Sequence, residues 1–280
     1  MKPFSLFISV FFIFFYQNTA VAAKIDAQNK KFKSAVVMNA SSGKLLYSYN
    51  PHKEVIPASL VKMMTAVITI LRTRTGPISL NDEYKVSAAA SNIGGHQVYL
   101  KQGEVFTVKE LLKAVVIGSA NDAAFALAEH VAGSQAEFIK LMNQRAALIK
   151  MENTTFANTH GLPPNRRKGQ KENSTTAYDL ALLARHVLQF PLISQLGSIR
   201  LDSFRNGTFQ LLNTNHRFLS RVDGANGLKT GYHPRGAGFS IVGTATRNKT
   251  KLIAVVLGAK NSRDRLSAAS HLLDYGFAQK

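Results

Sequence analysis

The stretch from Leu60 to Leu71 constrains the fold more than any other part of this chain. Leu60, Val61, Met63, Met64, Ala66, Val67, Ile68, Ile70 and Leu71 fall on every side of a helix instead of along one stripe. A helix with no polar face must be wrapped on all sides, so the rest of the chain has to supply layers around it. With 280 residues, 45% of them apolar and 18% charged, the chain has the material for such a core.

Strand patterns stand towards both ends. Ala35 to Asn39 and Leu45 to Tyr49 are short strand-like runs around Ala40-Ser41-Ser42-Gly43, which predicts a hairpin. Ala225 to Tyr232, Gly238 to Thr246 and Lys251 to Leu257 are β-branched and punctuated by glycine, and Arg263 to Phe277 closes the chain as an amphipathic helix. Between these regions, Thr107-Val108-Lys109-Glu110 and Ser134-Gln135-Ala136-Glu137 read as capping boxes ahead of helical runs. The amphipathic stretch Thr176 to Phe190 stops at Pro191. Sheet segments flanking a helical insert predict an α/β sandwich with a second, all-helical lobe over about residues 87–200.

Residues 1–23 differ in kind: Lys2 is followed by an almost unbroken apolar run, Phe4 to Tyr16, and then by polar and small residues. That is the pattern of a secretory signal peptide, with Ala20-Val21-Ala22 expected to direct cleavage after Ala22 or one residue later. The apolar run is too short to span a bilayer core comfortably. The mature chain, residues 24–280, is then one exported catalytic unit, expected to be soluble or peripherally attached in the periplasm or cell-wall space. The absence of cysteine excludes disulfides, thiolate catalysis and cysteine-ligated metal. The formal charge of +19 becomes +18 without Lys2. Outside a membrane such a surface meets cell-wall carboxylates, phosphates and anionic lipid heads and not nucleic acid, and the chain is expected to be monomeric.

Three short elements carry candidate chemistry. Ser59-Leu60-Val61-Lys62 puts a hydroxyl and an amine one helical turn apart, so Lys62 can take the Ser59 proton if burial and a second cation keep the amine neutral. Ser41-Ser42-Gly43-Lys44 has the same spacing. It falls in a predicted turn, whereas Ser59 follows Pro57-Ala58 at a helix start, where free amides favour a developing oxyanion. Ser119-Ala120-Asn121 precedes the helix Asp122 to Val131; its alternatives are a proton relay with an amide-binding carboxamide, or a plain cap. Lys229-Thr230-Gly231 occurs once, and on an edge strand it offers a cation and a hydroxyl to an anion while Gly231 leaves room for a substrate backbone. The eight histidines show no H-x-x-x-H pair, so no metal or other cofactor is expected, and His160 and His216 read as loop or core residues.

The three elements occur in the order of the S-x-x-K, S-x-N and K-T-G signature of penicillin-binding proteins and class A β-lactamases, 60 and then 110 residues apart. The chain resembles the D-alanyl-D-alanine carboxypeptidase family, the low-molecular-weight penicillin-binding proteins, over nearly all of residues 33–277. The likeness extends to Pro57 through Ala66, Ser119 through Ala124, Asn213-Thr214-Asn215, Gly227 through Tyr232, Ala237 through Ser240 and Leu272 through Phe277.

This resemblance implies a transpeptidase-like fold, an antiparallel five-stranded sheet flanked by helices beside the helical lobe. It also implies acylation of Ser59 by a peptidoglycan D-Ala-D-Ala peptide, release of D-alanine, hydrolysis of the ester, and covalent inhibition by β-lactams. By the same resemblance Lys62 is the base, Ser119 and Lys229 complete a proton network, the amides of Ser59 and Tyr232 form the oxyanion hole, and Asn121 binds substrate. Thr230 and Arg265 would hold the terminal carboxylate, with Arg263 the competing arginine. Two departures stand out: Tyr232-His233-Pro234 follows Gly231 where many relatives have a threonine second, and the chain stops at Lys280, as in short members without a further β domain.

Alternatives share these residues. A class A β-lactamase needs a Glu followed at three and four residues by Leu-Asn, and Glu129, Glu137, Glu152 and Glu172 lack that context. A D,D-endopeptidase cutting crosslinks differs only in what the groove admits. A non-catalytic sensor of muropeptides or penicillins has no need of a nucleophile beside a base.

Overall fold

The computed structural model describes residues 31–165, 167, 169–234 and 236–279. The expected leader, residues 1–23, lies outside them.

Five strands form one antiparallel sheet: β1 (Ser34–Asn39), β2 (Leu45–Tyr49), β7 (Ala225–His233), β8 (Gly238–Arg247) and β9 (Thr250–Ala259), in the order β2-β1-β9-β8-β7. Alternation along the strands divides the core. Val36, Met38, Ile253, Val255 and Leu257 join one apolar cluster, while Ala35, Val37, Leu252, Ala254 and Val256 join the other. Both faces are buried, which is why β1 and β9 read as continuous apolar runs.

The first cluster contains the all-apolar helix, α1 (Lys62–Thr75), in which every residue from Lys62 to Ile70 is buried. Burial is worth about 1.5–3 kcal/mol for each large aliphatic side chain, so this helix anchors the molecule. Around it pack α3 (Val108–Val116), α4 (Asn121–Ala132), α5 (Gln135–Leu148) and α6 (Ala177–Val187), after a one-turn α2 (Ala88–Ser91). The second face is covered by the last helix, α9 (Ser262–Ala278), whose Leu272 and Leu273 meet Phe218 of the short α8 (His216–Arg221) in the second cluster.

Several local expectations change in detail. Thr107 and Glu110 form a full capping box, but Ser134 only accepts from the Glu137 amide while the Glu137 carboxylate pairs with Lys140 at 2.6 Å. Pro191 is less a stop than a restart, occupying the first turn of α7 (Pro191–Ser198). Two ribbons were not legible as strands: β3 (Glu83–Lys85) with β4 (Val105–Thr107), and β5 (Leu201–Phe204) with β6 (Phe209–Leu212). Because β4 falls inside residues 87–200, that stretch is not wholly helical. Runs of three or four residues with polar members are too short to show a period. No helix among the described residues is long and apolar enough to cross a membrane.

Candidate active site

Ser59 lies in a single 3₁₀ turn, Ala58–Val61, leading into α1. Ala58 just before it has φ +48°, a left-handed conformation that costs a residue with a side chain about 1–3 kcal/mol. The loop holding it there is identified by Gly161, at φ +84°, where a Cβ would sit 2.1 Å from the Ala58 carbonyl oxygen. Only glycine lets the His160-Gly161 segment close against the Ser59 turn.

Lys62 is 1% exposed, donates from Nζ to Asn121 Oδ1 at 2.7 Å and the His160 carbonyl at 2.5 Å, and lies 3.1 Å from Ser59 Oγ. Burial pushes its pKa well down and the nearby Lys229 charge pushes it further, against the opposing pull of Asp122. A lysine held this way favours the neutral amine that can accept a proton from Ser59. His160 supplies its main-chain carbonyl, and its ring, driven down to about 3 by burial and then by Lys62, stays neutral.

Ser119 occupies the break between α3 and α4 at φ +59° and is 2% exposed. Asn121, the first residue of α4, gives Oδ1 to Lys62 while its Nδ2 donates to the Gly94 carbonyl at 2.8 Å, leaving one amide hydrogen for a ligand. Its neighbour Asp122, fully buried, accepts from the amides of Val98 at 3.2 Å and Leu100 at 3.0 Å and so fixes the wall formed by residues 93–100.

The K-T-G element lies on β7, an edge strand, as its proposed role requires. Lys229 is buried, lines a small cavity with Lys62, and donates to Thr214 Oγ1 at 3.3 Å. Burial, then Arg265, lower its pKa to about 7. Gly231 is also constrained from within the chain: a Cβ there would lie 2.7 Å from the Pro57 carbonyl oxygen and 3.1 Å from Leu60 Cγ. The missing side chain makes room for the Ser59 turn, which brings β7 against the nucleophile. Tyr232 is half exposed, its ring 4.2 Å from Phe239.

Thr230 donates to Thr214 Oγ1 at 2.8 Å and borders a cavity of about 120 Å³ with Arg265 and Arg217. Arg265 also lies over the Phe239 ring at 5.8 Å, and burial beside Arg217 lowers its pKa to about 10, so it remains charged. Arg263 is exposed and lines no part of this cavity. Arg265, and not the competing Arg263, therefore stands beside Thr230.

Sequence reasoning missed the His160 carbonyl, Gly161 and Gly94, and named Thr214 only within the family-like stretch Asn213-Thr214-Asn215, without a role. Gly161 carried a readable signal, a glycine in the loop Asn158-Thr159-His160-Gly161. A main-chain carbonyl carries none, because every residue has one. Ser41 is placed apart: it sits in the β1–β2 turn with its hydroxyl donating to Asn39 Oδ1 at 2.7 Å. Ser41→Ala should therefore react with benzylpenicillin at the parental rate in a stopped-flow assay, and loss of reaction in a folded variant would move the nucleophile from Ser59.

Residues 17–261 match the family described as D-alanyl-D-alanine carboxypeptidase. Over 88% of its length the chain is 36% identical to the D-alanyl-D-alanine carboxypeptidase DacF of Bacillus subtilis, and over 95% it is 35% identical to DacC of Escherichia coli. It spans only 62% and 66% of those two proteins. A D-alanyl-D-alanine endopeptidase of Pseudomonas aeruginosa is 30% identical over 85% of the chain and is covered to 75%. Among solved structures, ampicillin-bound penicillin-binding protein D2 of Listeria monocytogenes superposes with a TM-score of 0.79 at 29% identity, covering 88% of this chain and 97% of that one. The motifs, the contacts of Lys62 with Ser59 and Asn121, the cavity it shares with Lys229 and this similarity agree, and the chain belongs to the D-alanyl-D-alanine carboxypeptidase family.

Proposed function

We propose that the chain is a serine-type D-Ala-D-Ala carboxypeptidase that trims peptidoglycan stem peptides and is trapped by β-lactams. The observation that carries this reading is Lys62 Nζ at 3.1 Å from Ser59 Oγ, buried and repelled by a second lysine. Ser59 Oγ attacks the carbonyl of the penultimate D-alanine as its proton passes to Lys62, and the negative oxygen is received by the amides of Ser59 and Tyr232. Collapse breaks the peptide bond, a proton carried through Lys62, Ser119 and Lys229 reaches the departing amine, and D-alanine leaves. Water, activated by the same base, then hydrolyses the ester and regenerates Ser59. Asn121 holds Lys62 and meets the peptide with its remaining amide hydrogen; Arg265 and Thr230 receive the terminal carboxylate in their shared cavity.

The leader pattern supports export, and the +19 charge supports contact of a monomeric enzyme with anionic wall or membrane surfaces. The endopeptidase of P. aeruginosa favours a second reading, cleavage of crosslinks, since more of that relative's length is matched. Intact-mass analysis after benzylpenicillin, followed by peptide mapping, tests the shared acyl-enzyme. A lasting adduct on Ser59 is expected, and an unmodified protein with intact penicillin would favour a non-catalytic sensor. Assay with a pentapeptide and a crosslinked dimer then separates D-alanine release from crosslink cleavage.

A further inference from the structure

A cavity of about 440 Å³ lies between the β1–β2 turn, the C-terminal end of α6 and the β8–β9 turn, sharing no lining residue with the cavities beside Lys62 and Thr230. Arg185, Lys249 and Lys251 line it together with Ser41, and no acidic side chain among the described residues does. Strand pairing fixes where it stands: Asn39 pairs with Leu252, Leu252 with Ala245 and Ala245 with Ala225. Gly231, beside the Ser59 turn, is a further six residues along β7. That is about 20 Å along the strands and about 14 Å across them, so the two sites are separated by roughly 25 Å.

The walls are set before any ligand arrives. Arg185 donates from Nε to the Ala40 carbonyl at 3.0 Å and from Nη2 to the Ser41 carbonyl at 2.7 Å, which fixes the plane of its guanidinium. Asn39 Oδ1 accepts from the amides of Ser41 and Ser42, each at 3.0 Å, and tightens the same turn. Opposite, Asn248 and Lys249 adopt φ +46° and +64°, the paired left-handed residues of a tight hairpin that places Lys249 at the tip. The negative end of α6 does not cancel these cations, since Gln189 N donates to the His186 carbonyl and Phe190 N to the Val187 carbonyl.

We propose that this cavity is an exosite for a phosphoryl group, holding an anionic envelope component while the peptide occupies the cleft. Three cations, one from α6 and two from the β8–β9 hairpin, suit a dianion or closely spaced phosphates; a single carboxylate would leave charge uncompensated. Beyond those two bonds Arg185 keeps the hydrogens of Nη1 and one of Nη2, and together with the two ammonium groups these donors match phosphate oxygens. The inference does not depend on the acyl-enzyme, because neither Ser59 nor Lys62 borders the cavity.

The test is titration of the full chain with inorganic pyrophosphate by calorimetry, repeated with phosphatidylglycerol vesicles in a sedimentation assay. Lys249→Ala/Lys251→Ala is compared with Lys85→Ala/Lys109→Ala, which removes equal charge from exposed sites elsewhere. Saturable pyrophosphate binding weakened about tenfold or more by the first pair and little changed by the second is expected, with penicillin acylation unaltered in both. If vesicles also bind with the same variant dependence, lipid phosphate is a source; if only pyrophosphate does, the source is soluble or polymeric phosphate. Equal weakening by both pairs, binding to vesicles alone, or no saturable binding would overturn the exosite.

Discussion

Ser59→Ala is expected to acquire no penicilloyl group at any incubation time while keeping the parent's fold. The substitution removes one partly exposed hydroxyl, and Lys62 retains Asn121 Oδ1 and the His160 carbonyl as partners, so unfolding free energy should change by less than about 1 kcal/mol. Intact mass reads the first quantity and urea unfolding the second. Loss of labelling with stability kept identifies Ser59 as the nucleophile. An adduct persisting on Ser41 or Ser119 would refute the assignment, and loss of labelling with loss of fold is resolved by Ser59→Gly or Ser59→Cys, the latter restoring a nucleophile in the same place.

Lys62→Met should slow acylation by about 10²–10⁴-fold, the usual range for removing a general base, without abolishing reversible binding. A second signature concerns stability. The folded-state pKa of Lys62 lies below its unfolded value of 10.5, so the unfolded chain binds the extra proton. That sign makes the folded state gain stability as pH rises from the folded pKa to 10.5, and lose it as pH falls through that window. Lys229 acts in the same direction between about 7 and 10.5. Each neutral buried lysine contributes a slope of about 1.4 kcal/mol per pH unit inside its window. Urea unfolding at several pH values between 8 and 10 should therefore show a shallower rise for Lys62→Met than for the parent. Parallel profiles would mean that Lys62 is charged in the folded protein and cannot serve as the base.

Local patterns in the chain announced most of what the structure contains. The apolar, β-branched runs Ala35–Asn39 and Lys251–Leu257, the helix start at Thr107 and the all-apolar helix behind Ser59 are consequences of neighbouring residues, and they are legible because strand propensity and capping act over a few positions. The short ribbons β3–β4 and β5–β6 and the restart at Pro191 were not, since their pairing partners are set by what they pack against.

The site divides in the same way. Sequence determined the Ser59–Lys62 pair, because one helical turn fixes the reach of Lys62, and it put Lys229 and Thr230 on one strand, which the sheet order then made an edge. Only the tertiary structure decided that Gly231 serves the approach of β7 to Pro57, that the His160 carbonyl and Asn121 grip Lys62, and that Arg265 rather than Arg263 faces Thr230. Those relations join residues tens to hundreds of positions apart, and both lysine pKa shifts depend on them. Desolvation and the field of a distant cation exist only once the chain has closed around the site.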